Sequence, residues 1–144
     1  MQGTPLCWAV VSGAASAITS VDGLKGKTFA ISRLGSGSHL MACVLAVQRG
    51  WNPAKDLKFV VAGDFKSLRD AVNSGLADAF MWETFTTKPY WDSGELRRVG
   101  DITTPWPCFM LAGVLYAVFV IRILIYLLLC AFLYKHLFLL SPRE

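Results

Sequence analysis

Arg33-Leu34-Gly35-Ser36-Gly37-Ser38 is the stretch of this sequence best equipped to hold a ligand. Its glycines let the backbone come close to a bound group. A helix opening behind them would aim free N–H groups and the positive end of its dipole at an anion, with the Ser36 and Ser38 hydroxyls as further donors. A carboxylate, sulfonate or phosphate is the guest such a loop suits. A tight turn with serine capping accounts for the same residues without any ligand.

A second candidate is Glu83, which follows Trp82 at the end of an apolar run. Its carboxylate could act as a general base or orient a ligand, yet no second acid, metal-binding cluster or activated nucleophile lies near it in sequence. Asp64 is placed to cap a helix, His39 reads as a solvent-facing residue of a first helical turn, and His136 flanks an apolar tail. Trp8, Trp82, Trp91 and Trp106 are numerous for so short a chain; core packing is their default, with Trp82, beside the predicted ligand mouth, and Trp106, in a Pro-bounded connection, the better functional candidates.

Two nucleotide motifs nearly match and fail. Leu40 stands where the dinucleotide fingerprint needs its third glycine, and Val21 where the phosphate-binding loop ending at Gly26-Lys27-Thr28 needs its first. Cys7, Cys43, Cys108 and Cys130 have no C-x-x-C spacing, so they read as buried thiols in a reducing compartment. No cofactor and no metal are expected.

The elements that would position these residues alternate. Lys27 to Ser32 is β-prone, and His39 to Arg49 has helical apolar spacing and stops at Gly50. Asn52 and Pro53 open a turn, Leu57 to Ala62 is a second strand, and Asp64 leads into a helix over Phe65 to Ser74. Ala77 to Trp82 is a third strand, Phe85 to Trp91 a short helix broken by Pro89, and Arg97 to Ile102 a fourth strand. Such alternation predicts an α/β fold, a mostly parallel sheet with flanking helices. Ligands then bind beyond the carboxyl ends of the strands, which directs attention to residues 33–38, 63–64 and 82–84.

Composition sets the outer limits. Of 144 residues, 54% are apolar and 17% charged, which excludes disorder for most of the chain. The net charge of +4 comes from scattered side chains, so no nucleic-acid partner is expected. The chain divides near Met110 into residues 1–112, a compact mixed domain, 113–136, an apolar stretch, and 137–144, a short polar-ended tail. Val114 to Tyr134 carries Arg122 as its sole charge; as a helix it would be about 31 Å long, enough to span a bilayer. A central Arg costs about 2.5–3.5 kcal/mol, less than the summed gain from the surrounding Leu, Ile, Val and Phe. A single-pass membrane protein of open orientation is therefore expected, with a cytoplasmic protein whose tail is a buried helix as the alternative. The apolar amino terminus lacks the basic residues of an export signal.

Several segments together resemble a known family. They are Thr4-Pro5-Leu6-Cys7-Trp8-Ala9, Gly23-Leu24-Lys25-Gly26-Lys27, Ser32 to Ser38, Ala77-Asp78-Ala79-Phe80-Met81-Trp82-Glu83 and Thr104-Pro105-Trp106-Pro107. In order and spacing they are similar to the type II periplasmic-binding-protein-like solute-binding family, in its eukaryotic, mainly fungal branch related to sulfonate, nitrate and thiamine-pyrimidine binding proteins. The resemblance implies a non-catalytic receptor with two lobes closing on a small solute, anionic or heteroaromatic, and this chain would hold the second lobe. Residues 4–9 and 104–110 would be the crossovers between lobes. Arg33, Ser36, Gly37, Ser38, Trp82 and Glu83 would face the ligand. A fragment of the related thiamine-pyrimidine synthase is the enzymatic alternative, weakened by the lack of its cysteine-rich motif. A truncated product with a read-through tail is the third reading.

Overall fold

In the computed structural model, residues 4–108, 122–126 and 128–129 are described. Residues 1–108 belong to one compact unit. Its elements run β1 (Pro5–Gly13), a 3-10 turn (Val21–Leu24), β2 (Thr28–Ile31), α1 (Gly37–Gln48), α2 (Pro53–Asp56), β3 (Lys58–Val61), α3 (Phe65–Asn73), β4 (Ala79–Glu83), α4 (Thr84–Asp92) and β5 (Leu96–Pro107). The strands form one sheet in the order β3-β2-β4-β1-β5.

The central strands are apolar on both sides because both sides are covered. Neighbouring side chains on a strand point to opposite faces. Val10, Phe29 and Met81 accordingly join Met41 and Leu45 of α1 in one core, whereas Val11, Ala30 and Phe80 join Leu68 and Val72 of α3 in the other. That two-sided burial replaces strict alternation with short continuous apolar runs.

Residues 5–13, where no strand was expected, form β1. It pairs antiparallel with both β4 and β5, while β2 pairs parallel with β3 and β4. Four strands therefore point one way and β1 runs against them. An apolar stretch carries no local mark of its direction, and residues 5–13 show none.

Two element boundaries are also corrected. Pro89 does not break α4, which continues through it. The carbonyl left without a partner is that of Phe85, an exposed residue that water can reach. β5 extends well past Ile102 to Pro107, pairing as far as Pro5↔Pro107. Its prolines are tolerated because β5 lies at the sheet edge. The expected crossover segments thus lie side by side, with the Cys108 amide donating to the Thr4 carbonyl at 3.1 Å.

Residues 109–144 form a second unit. Within it residues 122–126 and 128–129 are helical and exposed. Among the described residues no helix is long and apolar enough to cross a membrane, so the expected carboxy-terminal spanning helix has no support in the fold. The greater part of 113–136, and all of 137–144, lie outside the described residues.

Candidate functional site

The carboxyl ends of β2, β3 and β4 each run directly into a helix, α1, α3 and α4, and the first residue of β1 reaches the same edge from the opposite direction. The three helix starts are closed in different ways.

At α1 the cap is Ser36, whose Oγ accepts from the His39 amide and donates to the Arg33 carbonyl at 2.7 Å. The Ser38 hydroxyl lies 2.9 Å from that of Ser36 and accepts from the Ser32 amide at 3.0 Å. Both serines are buried. Their hydroxyls hold the turn together, bonding to the Arg33 carbonyl, the Ser32 amide and each other. His39 is half-buried: its Nδ1 accepts from the Gly35 amide at 3.0 Å and its ring stands edge-on to Phe59 at 4.6 Å. The Ser36 amide donates to Arg33 and the Leu40 amide to Ser36. Among the described residues, the amides of Gly37 and Ser38 find no protein acceptor, as the first positions of a helix require. Gly37 itself is exposed, as is Arg33.

At α4 the cap is the Glu83 carboxylate. Oε1 accepts from the Phe85 amide at 2.8 Å, and Oε2 from the Thr86 amide at 2.7 Å and the Thr86 hydroxyl at 2.8 Å. Burial pushes the Glu83 pKa up, but these bonds to the ionised form together outweigh it and hold the group below the usual carboxylate range. A carboxylate so engaged and so readily ionised is a weak proton acceptor. Asp64 caps α3 as expected, accepting from the Ser67 amide at 2.8 Å, and that bond chiefly keeps its pKa low.

Trp82 and the 33–38 loop are brought together by a residue the sequence assigned to the core. The Trp8 ring lies over Gly37, where an added Cβ would sit 2.7 Å from Trp8 Cη2. The same ring meets Trp82 edge-on, with centroids 6.3 Å apart. Trp8 Nε1 is buried with no hydrogen-bond partner among the described residues. Phe65, at the start of α3, stacks against Trp82 at 5.3 Å. Neither Trp8 nor Phe65 was legible as a site residue, because their place depends on the reversed direction of β1 and on which helix starts share an edge. Trp106 falls elsewhere. It lines an open apolar groove of about 430 Å³ with Leu40, Cys43, Val44, Val47, Gln48 and Pro105.

The arrangement is thus a helix start with a neutral cap, overlain by Trp8 and flanked by Trp82, on a sheet with helices on both faces. This architecture is that of one lobe of a periplasmic binding protein. A family profile described as Ca3427-like PBP matches residues 8–102, and the chain belongs to that family. The solved structure of the Candida albicans CA3427 gene product, which defines a family with the generic periplasmic binding protein fold, is 42% identical with a TM-score of 0.65. The match covers 73% of this chain and 35% of that one, so the chain spans about a third of that relative's length. The periplasmic sulfonate-binding protein SsuA from Methylobacillus flagellatus KT is 27% identical over 69% of this chain and 29% of its own, with a TM-score of 0.57. A Prochlorococcus marinus PhnD1 structure in complex with methylphosphonate, 19% identical over 69% of this chain and 42% of its own, shares the fold at a TM-score of 0.55. No curated protein sequence matches the chain.

Proposed function

We propose that the chain binds a small organic anion without transforming it, at the start of α1 beneath Trp8. The observation that carries this reading is the pair of Gly37 and Ser38 amides without protein acceptors, at the one helix start on this edge capped by a neutral side chain. The helix dipole adds to the attraction of an anion. Arg33, exposed beside the loop, supplies a cation; Trp8 and Trp82 supply flat apolar walls for the organic part. The engaged Glu83 supports a binding role over an acid–base one. Sulfonate is the first ligand class to test, since the SsuA relative is described as sulfonate-binding. Isothermal titration of the full chain with methanesulfonate, acetate and a pyrimidine tests the reading. Saturable heat with the anions and its loss in Gly37→Ala support it; no heat from any of them, with a folded circular-dichroism spectrum, refutes it.

The tail carries a second reading from sequence alone. The apolar run 114–134, with Arg122 as its one charge, favours attachment to a membrane. Carbonate extraction of membranes from expressing cells decides the matter, because an attached chain stays in the pellet and an unattached one is released.

A further inference from the structure

We propose that Arg69 is a positioning residue for the solute site, acting through Phe65 on the indole of Trp82, and through it on that of Trp8, from one turn further along α3. The functional consequence rests on the solute-binding reading above, whereas the geometry does not. Arg69 follows Phe65 by one helical turn and is only 14% exposed. Its guanidinium carbon lies 3.8 Å from the Tyr90 ring centroid and 5.4 Å from that of Phe65. Nε is 3.4 Å from Glu95 Oε1, close enough for charge attraction but not aligned as a hydrogen bond. A cation so far removed from water, with its central carbon over one ring and a second ring beside it, constrains both.

Those rings lead to the site. Phe65 meets Tyr90 at 5.4 Å, Phe80 at 6.0 Å and Trp82 at 5.3 Å, and Trp82 meets Trp8 at 6.3 Å. Phe80 is fully buried and gives the row a fixed floor. In a close-packed row, a ring that turns displaces its neighbour. Trp8 in turn covers Gly37, so the orientation set at Arg69 reaches the α1 amides.

The test is ¹⁹F NMR of the full chain labelled with 5-fluorotryptophan, its lines assigned by single Trp→Phe changes, together with methanesulfonate titration. Arg69→Lys keeps a charge near Glu95 but lacks the flat guanidinium, and Arg69→Leu removes both. The Trp82 and Trp8 lines should shift in each variant while that of Trp51, beside α2, stays in place. Methanesulfonate affinity should fall about fivefold or more, the lower end of couplings between linked sites. Unmoved Trp82 and Trp8 lines in folded Arg69→Lys overturn the proposal. If the lines shift but the unaltered chain binds no methanesulfonate, the positioning stands and the solute-binding reading fails.

Discussion

α1 and α4 start at the same edge of the same sheet and end their exposure to solvent in opposite ways. α4 is sealed by its own residue: Glu83 takes two amides and a hydroxyl and brings a full negative charge to the positive end of the helix. α1 is held by neutral hydroxyls that bond to each other and to the turn, leaving the charge of its amides unanswered at Gly37 and Ser38. The difference teaches that the charge a helix start offers depends on how its cap is satisfied, and the proposed anion site follows from the neutral cap of α1.

Four changes probe this contrast. The largest effect is expected from Gly37→Ala, whose methyl group would press on Trp8; anion binding should be lost and stability should fall by about 1–3 kcal/mol in urea unfolding. Retained binding would show that the open start of α1 is not the site. Next, Ser38→Ala strands the Ser32 amide inside the turn. It should cost about 1–2 kcal/mol by the same measurement while the Gly37 amide persists, so weakened binding should track lost stability. Glu83→Ala should cost about 1 kcal/mol, an ordinary capping loss, and leave anion titration unchanged. A large drop in affinity would mean that the sealed start of α4 takes part in binding after all.

The smallest effect is in pH. Glu83 ionises below its ordinary value of 4.5 in the fold, so the unfolded chain holds that proton more tightly. Its contribution is then complete above about pH 4.5 and fades as pH falls through the folded value. In Glu83→Gln, unfolding midpoints measured from pH 6 down to 3 should decline less steeply than in the unaltered chain.

Much of this was open to reading beforehand, for reasons that differ by region. Asn52 and Asp64 cap their helices as their types and positions require, and β2, β3 and β4 were visible as apolar runs between glycines. The reach of β5 was hidden by Pro105 and Pro107, which act as breakers everywhere except at a sheet edge. Of the site, the loop 33–38 and Trp82 were placed on the correct edge because chain alternation dictates it. The hydrogen-bond partners within the loop were not legible, because a serine near a helix start can point outward or fold back on its own turn, and only the partner atoms decide. Trp8 was missed for a topological reason: nothing in Leu6-Cys7-Trp8-Ala9 states that this strand enters the middle of the sheet between β4 and β5.

The two flanks of the sheet bear on how molecules of this protein behave in a crowd. An unpaired strand is an invitation to add another, and long flat ones lead to aggregation. β3 limits the offer to four residues that begin with Lys58. β5 is three times as long, yet its pairing with β1 shifts register at two places and it carries two prolines that cannot donate to an incoming strand. The same imino acids that obscure β5 in the sequence therefore keep its outer rim from templating growth.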